Sequence, residues 1–253
     1  MTSDPASISP TSPTSPTEPA GGTGPLPAGS TVLLEGIVGS TAYGLAGPHS
    51  DVDRLGVFAA PTESFHGLRP PRESIVENEP DRTLHEAGKY CRLALSGNPT
   101  AIELLWLPDE LYEVRTPLGD ELIGLRSAFL SAPRVRDAFL GYAAQQLSRL
   151  GSKRRSGNWI DRRAAKHARH MLRLIDQGLA LYETGVLPIR LADPERYLDF
   201  GTHVDADPGL AGPVLEDARE RFAAARTVLP EQPDEAAVEH WLLRVRAHHL
   251  NGD

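Results

Sequence analysis

Cysteine is nearly absent from this sequence, which contains only Cys91 among 253 residues. A single thiol allows no disulfide within the chain and suits a reducing compartment, so we expect a cytoplasmic protein. No basic partner that would activate this thiol is evident in the sequence. We therefore interpret Cys91 as a small apolar residue on the buried face of a helix.

Long apolar runs are also missing. No segment approaches the ~20 apolar residues of a membrane span, so we expect no association with a membrane. Residues 1–28 have neither the basic nor the apolar segment of a secretory signal. They consist almost entirely of Pro, Ser, Thr, Gly and Ala. This composition buries too little apolar surface to offset the entropy of ordering, which predicts a disordered tail.

An excess of basic residues is the third absence, since the net charge is -8. That charge argues against the basic surface of a general nucleic-acid-binding protein and leaves room for a local basic patch. Residues 149–173 are an exception, because they are rich in Lys and Arg and contain one Asp. We consider this segment a candidate for contact with an anion. The nine histidines show no zinc-site spacing, so no zinc centre is expected.

The hydrophobic pattern predicts an α+β fold, with a small mixed-sheet core followed by a helical bundle. Residues 31–38 and 52–59 have the pattern of buried strands, and residues 74–77 and 83–84 are weaker strand candidates. From Glu86 the apolar residues follow a helical period. We place the core at residues 29–110 and the helical domain at 111–253.

Helix signals mark the second part of the chain. Gly97-Asn98-Pro99 ends the first helix, and Thr100 with Glu103 has the pattern of a capping box for the next. Further helices are predicted by periodicity at residues 117–130, 134–150, 161–184, 213–227 and 234–248.

Asp51 and Asp53 carry the clearest chemical signal. Two residues apart on a strand, they would leave the same face roughly 7 Å apart along the backbone. Val52 would then point into the core with Leu55 and Val57. Two such anions are favourable together when a divalent cation lies between them, and Mg²⁺ prefers oxygen ligands from carboxylates and phosphates. We therefore expect Mg²⁺, or Mn²⁺ in its place.

A Gly39-Ser40 turn lies ten residues before this pair. Glycine lets the backbone approach a phosphate closely, and Ser40 offers a hydroxyl and an N–H. A short helix after the turn would direct its positive end at the anion. Alone, a Gly-Ser pair or an Asp-X-Asp sequence is uninformative, but the order and spacing indicate a nucleotide site.

The stretch "GSTAYGLAGPHSDVDRLGVF" resembles the signature of the DNA polymerase β nucleotidyltransferase superfamily. The longer pattern G-S-x-A-Y-G-L-A-x-x-x-S-D-x-D-x-x-G-V is similar to the sequences of predicted nucleotidyltransferases encoded near RNA ligases. "RLALSGNPTAIELLWLP" and "KHARHMLRLIDQGLALYETGVLP" also resemble that branch. The resemblance covers about residues 32–190.

This resemblance implies a mixed sheet with three acidic residues. Asp51 and Asp53 match the first two, and Gly39 and Ser40 match the phosphate-binding turn. Asp81 is our choice for the third, with Glu77 and Glu86 as alternatives. These acids would bind the metal and act in catalysis. The implied activity is transfer of a nucleoside monophosphate from an NTP, with ATP expected, to a hydroxyl, which releases pyrophosphate. An RNA end is a candidate acceptor.

Lys166, His170 and Arg173 fall on one stripe of the predicted long helix, over roughly 10 Å. A cationic stripe would suit a triphosphate or an RNA backbone, and a solvated helix face is the alternative. Tyr43 and Trp159 are candidates to stack on a base. Four arginines in the basic segment have either a surface or an RNA-contacting role: Arg154, Arg155, Arg162 and Arg163.

Two other functions remain open. A nucleotide-binding regulatory or antitoxin-like interaction protein would keep the fold without turnover. A helical nucleic-acid-binding protein would carry the acidic motif incidentally. The sequence does not define the acceptor, the base of the nucleotide or the oligomeric state.

Overall fold

The computed structural model of the chain describes residues 24–48, 50–152 and 163–250, and within them five strands form one mixed sheet. The strands are β1 (Thr31–Ile37), β2 (Arg54–Ala59), β3 (Ser74–Asn78), β4 (Asp81–Glu86) and β5 (Tyr112–Arg115). Their order across the sheet is β3-β4-β2-β1-β5. The β2–β4 pair is parallel, and the other three pairs are antiparallel.

The two faces of the sheet bury different clusters. Leu55 and Val57 of β2 belong to the main core shared with the helices, whereas Phe58 packs with Ile75 and Leu84 on the opposite face. Successive side chains of a strand point to opposite faces, so this alternation fixes the direction of every side chain on β2 and β4.

Together with short 3-10 helices and loops, the described ranges also contain nine α-helices. They are α1 (Gly39–Tyr43), α2 (Ala87–Leu95), α3 (Pro99–Leu104), α4 (Pro117–Gly124), α5 (Ala132–Ser152), α6 (Arg163–Thr184), α7 (Pro194–Ala206), α8 (Ala211–Ala224) and α9 (Glu235–His248). Helix α2 packs against β2 and β4, and α4 packs against β1 and β5. Helix α9 returns to contact α2 and α4. The predicted α+β class, a mixed sheet followed by helices, is confirmed.

Helices α5 and α6 form an antiparallel pair. Gln146 Oε1 and His167 Nδ1 are 2.8 Å apart near one end of the pair. Near the other end, Gly178 lies so close to Phe139 that an added Cβ would be 2.7 Å from the phenyl ring. Helix α7 packs on α6, and α8 packs on both α5 and α6.

Strand β2 begins later than predicted, at Arg54 rather than residue 52. The prediction that Asp51, Val52 and Asp53 lie inside a strand is wrong, and Val52 is 38% exposed instead of buried. The Val38 N–H donates to the Asp53 carbonyl at 2.9 Å, just after β1 has ended. Because the chain then turns into α1, residues 51 and 52 have no neighbouring strand backbone to pair with. Leu55 and Val57 are buried as predicted.

Three further boundaries differ from the prediction. Asn98, not Thr100, caps α3, and its Oδ1 accepts from the N–H groups of Thr100 and Ala101. Residues 112–115, assigned by pattern to the helical part, form β5, which was missed because four residues are too few to show alternation. Helix α7 was also missed, although Asp193 at its N-cap and Pro194 at its first position signal a helix start.

Cys91 is buried, and burial raises its pKa to about 12, which agrees with a structural role. Among the helices in the described ranges, none combines the length and hydropathy that crossing a membrane demands. The predicted tail falls mostly on residues 1–23, which lie outside the described residues.

Candidate active site

Asp53 and Asp81 are neighbours at the start of two parallel strands. The β2–β4 ladder begins with Arg54 opposite Arg82, so the residue before each lies next to the other. The two carboxyl groups are close enough to affect each other's protonation. Burial raises the pKa of Asp53, and the nearby Asp81 carboxyl raises this pKa further. Carboxyls held together in this way favour a bound proton or cation.

Strand alternation distinguishes the three candidates for the third acid. Asp81 shares a face with Thr83 and His85, and all three line a groove beside Asp53. Glu77 and Glu86 do not line this groove. Glu77 lies 3.6 Å from Arg82, whereas Glu86 is buried and forms two hydrogen bonds with Arg246, of 2.5 and 2.9 Å. Of these three acids, Asp81 is therefore the one beside the predicted pair.

Asp51 takes a different position from Asp53. It lies in the connection before β2 and is exposed. Its charge raises the pKa of Asp53 less than burial and Asp81 do. In the part of the chain that the structure describes, no three His, Cys, Asp or Glu side chains form a group that could hold a metal ion. The structure thus brings together Asp53 and Asp81 and leaves Asp51 beside them on the connection.

Gly39, the first residue of α1, packs directly on Asp53. Its φ is +68°, and a Cβ at this position would lie 2.3 Å from Asp53 Oδ2. Both observations require glycine. The sequence predicted that Gly39 lets the backbone approach a phosphate, and here the same freedom brings the turn against the carboxylate. Ser40 follows in the first turn of α1, where backbone N–H groups have no intrahelical acceptor.

Glu103 is a site residue that the sequence analysis missed. It lies on α3 and is buried, and its Oε1 accepts from the Gly39 N–H at 3.1 Å. Its Oε2 accepts from the Tyr43 hydroxyl. Burial raises the pKa of Glu103, and the nearby Arg173 charge opposes that rise. The sequence pattern assigned Glu103 to a capping box. Its position within the apolar run Ala-Ile-Glu-Leu-Leu, residues 101–105, could have indicated a buried carboxylate.

Arg173 of α6 completes this buried cluster. Its guanidinium carbon lies 3.9 Å from the centroid of the Tyr43 ring, and its Nη1 is 4.0 Å from Glu103 Oε2. Nη1 also donates to Gln177 Oε1 at 2.5 Å. Arg173 is only 5% exposed. The predicted alternative of a solvated helix face is therefore wrong for this residue, which links the long helix to the Gly39 turn.

His170 is not a cation in this site, so the predicted cationic stripe is wrong at this position. Burial, followed by the charge of Arg173, lowers its pKa to about 3. Arg173 Nη2 lies 2.9 Å from His170 Nε2. Because a guanidinium has only donors, this nitrogen accepts, and the ring is neutral with its proton on Nδ1. Lys166 is exposed, and its charge lowers the pKa of Asp53.

The groove beside the acids has a volume of about 650 Å³. Six of the predicted site residues line it: Gly39, Tyr43, Asp53, Asp81, His170 and Arg173. Ser40, Asp51 and Lys166 lie outside its wall. Trp159, Arg154, Arg155 and Arg162 lie outside the described residues, and of Arg163 only its place at the start of α6 is described.

A second concavity, of about 740 Å³, lies among α6, α7 and α8. Its wall includes the acids Asp193, Glu195, Asp199 and Asp217. The wall also carries Arg196, His203 and Arg221, and none of the predicted site residues is present there. We therefore place the active site in the groove that contains Asp53 and Asp81.

The residues of the groove fit a divalent cation. Asp53 and Asp81 supply only oxygen donors, and the mutual repulsion that raises the pKa of Asp53 would be relieved by a cation between them. Two protein carboxylates leave room for water and phosphate oxygens, which is how Mg²⁺ usually binds.

A mixed sheet with paired acids on neighbouring strands beside a Gly-Ser turn defines the class of DNA polymerase β-like nucleotidyltransferases. The family model described as "RNA repair pathway DNA polymerase beta family" matches residues 27–205. The chain belongs to that family, and the resemblance identified in the sequence is confirmed.

One curated relative comes from Enterobacteria phage T4, the "Uncharacterized 38.9 kDa protein in nrdC-mobD intergenic region". It is 28% identical to this chain, over 48% of this chain and 39% of the relative. The chain thus matches well under half the length of that protein.

Proposed function

We propose that the protein is a Mg²⁺-dependent nucleotidyltransferase, with Mn²⁺ as a substitute, that transfers a nucleoside monophosphate from an NTP to a hydroxyl. The observation that supports this most is the proximity of Asp53 and Asp81, which face one groove at the start of two neighbouring parallel strands. Gly39 lies against Asp53 in that groove. The family description supports the same class of activity.

Asp53 and Asp81 would hold the metal, and Asp51 is close enough along the chain to add a ligand from its exposed connection. When bound, the metal would supply Lewis-acid stabilisation of phosphoryl oxygens. The Gly39-Ser40 turn would hold the terminal phosphates of the nucleotide, and Lys166 would add a positive charge near Asp53. Glu103, Tyr43 and Arg173 would keep the turn in place.

We further propose an RNA end as acceptor, ATP as the nucleotide and the cytoplasm as the location. The family description, with its RNA repair pathway, supports the acceptor. The single buried cysteine suits a reducing compartment.

Substitution of the paired acid tests the mechanism. Asp53→Asn keeps the shape of the side chain but removes its charge, so we expect transfer from α-³²P-labelled ATP to an RNA oligonucleotide to fall at least ~100-fold. Asp205→Asn, an exposed change on α7, is the matched control and should leave transfer unchanged. Undiminished labelling by Asp53→Asn would exclude this mechanism.

A nucleotide-binding regulator without turnover is the second candidate. It is favoured by the position of Asp51, which forms no metal-binding group with Asp53 and Asp81 among the described residues. Calorimetric titration with ATP and Mg²⁺, run beside a pyrophosphate-release assay, separates the two functions. Binding without release in the presence of RNA supports the regulator, and release supports the enzyme.

A further inference from the structure

The end of the groove away from the acids has a different chemistry. Among the described residues that line the groove, the acids are Asp53, Asp81 and Glu103. Beyond them the wall also carries neutral polar and basic side chains, among them Ser74, His85, Lys89 and Tyr142. Nothing in the proposed roles of the acids or the Gly39 turn uses this part of the groove.

Three of these side chains come from adjoining elements. Ser74 on β3 and His85 on β4 are paired strand neighbours, and Ser74 Oγ lies 2.8 Å from His85 Nδ1. Lys89 follows on the first turns of α2. His85 is four residues beyond Asp81 on β4, which places it roughly 13 Å from the acids along the strand.

Lys89 differs from the arginines around it. Arg54 pairs with Glu113, Arg82 with Glu35, and Arg92 with Glu73. Lys89 is half-buried at the groove wall, and within the described ranges it forms no ion pair. It also acts on His85, since burial and then the Lys89 charge lower the pKa of that histidine to about 4. A neutral imidazole, a hydroxyl and an ammonium group therefore face the same space. The bond between Ser74 and His85 uses one of their two protons, so this pair has one N–H or O–H left to donate to an anion, and the Lys89 ammonium adds its own donors.

We propose that Ser74, His85 and Lys89 form a subsite for a backbone phosphate of a single-stranded nucleic-acid acceptor. This inference rests on the proposed function and makes the acceptor a nucleic-acid strand rather than a protein hydroxyl or a small molecule. A Lys ammonium binds phosphate as a point charge. Tyr142 in the same wall adds an aromatic side chain, and grooves that combine cations with aromatic groups are typical of single-strand binding.

The arrangement of the strands assigns this phosphate to the acceptor rather than to the NTP. Gly39 follows β1 and touches Asp53 from that side, whereas Asp81 touches Asp53 from the β4 side. The subsite lies farther along β4, on α2 and on β3. If the phosphates of the NTP occupy the Gly39 turn, the β4 side of the groove stays free for the nucleic acid that receives the transfer. The subsite then binds a phosphate more than one nucleotide away from the acids.

The test measures RNA and nucleotide affinity separately. Fluorescence anisotropy with a labelled single-stranded 12-nucleotide RNA should show that Lys89→Gln binds at least threefold more weakly than the wild type. The slope of log affinity against log salt should become shallower by about 0.7, the value for one phosphate contact of a single strand. Lys89→Arg should retain both properties. The affinity for ATP, measured by calorimetry without RNA, should not change.

Arg92→Gln is the matched control, because it removes a positive charge from an exposed position of the same helix. Its RNA affinity should equal that of the wild type. Equal RNA binding by wild type and Lys89→Gln, or no RNA binding by the wild type, would overturn the subsite. A loss of ATP affinity in Lys89→Gln would assign the phosphate to the nucleotide and also overturn it. Asp53→Asn tests the proposed function independently, since it should lose transfer while it still binds RNA.

Discussion

Gly39 touches Asp53, and a Cβ on this glycine would lie 2.3 Å from the carboxylate oxygen Oδ2. The contact joins the end of β1 to the start of β2, and the Gly39 N–H is held from the other side by Glu103. The turn and the acid are therefore packed as one unit, and a substitution in either should displace the other.

Gly39→Ala should impair both stability and transfer. The positive φ costs an L-residue about 1–2 kcal/mol, and the methyl group must displace Asp53. We expect unfolding free energy, measured by urea denaturation, to fall by at least ~1 kcal/mol, and transfer to fall with it. Gly141→Ala on α5 has open space around its Cβ and should be neutral or stabilising. Equal behaviour of the two variants would contradict the role of Gly39.

Asp81 should be essential for transfer, and Glu77 should not. Asp81 lines the groove beside Asp53, whereas Glu77 lies by Arg82 outside it. Asp81→Asn should lower kcat at least ~100-fold. Glu77→Gln should stay within about threefold of the wild type, because its 3.6 Å ion pair with Arg82 is partly exposed and lies outside the groove. Steady-state kinetics of label transfer measure both. If Glu77→Gln is the inactive variant, the assignment of the third acid is wrong.

Glu103→Gln should act through the position of the Gly39 turn. The carboxylate accepts from both Gly39 and Tyr43, and a carboxamide has only one acceptor oxygen. Arg173, buried nearby, would also lose its negative neighbour. We expect a loss of about 1–3 kcal/mol in unfolding free energy and a kcat/KM lowered by about tenfold, since small displacements of a site are costly.

Urea denaturation and transfer kinetics of Glu103→Gln are best compared with Glu110→Gln, an exposed change on the same part of the chain. A variant that loses stability without any change in kcat/KM would show that Glu103 serves packing alone.

Stability should decrease in acid because two histidines are held neutral. The pKa of His170 is lowered from 6.5 to about 3 and that of His85 to about 4, each mainly by burial. The unfolded chain therefore takes up these protons first as the pH falls below 6.5. Each histidine contributes a loss of up to about 1.4 kcal/mol per pH unit until its folded pKa is reached.

His170→Gln should reduce this loss, because a glutamine oxygen can still accept from Arg173 but cannot titrate. Urea denaturation at pH 7 and pH 5 should show a smaller difference for this variant than for the wild type. His66→Gln, at an exposed position, should leave the difference unchanged. An equal pH dependence in His170→Gln and the wild type would contradict the buried neutral state.

Much of the site was accessible from local sequence. The Gly39-Ser40 turn and the Asp-X-Asp pair depend on short motifs and their spacing, and the family match confirms the class that they indicated. Asp81 was chosen as the third acid that the resemblance implies, with Glu77 and Glu86 as alternatives. The placement of Asp51 and Val52 inside β2 was wrong because strand length depends on a partner backbone, and β1 ends before it could pair with them. No periodicity of β2 alone contains that information.

The sequence by itself determined the nucleotidyltransferase class and the α+β order, because these follow from motif spacing and hydrophobic period, and it predicted the acids of the candidate site. Tertiary structure decided which acids meet. Parallel pairing of β2 with β4 brings Asp81 to Asp53 across 27 intervening residues of the chain. Long-range packing also placed Arg173, predicted to lie on a cationic stripe, in the buried cluster beside the Gly39 turn, with a neutral His170 next to it. Burial and the charge of a neighbouring group set the protonation of such residues, and both depend on residues distant in the chain.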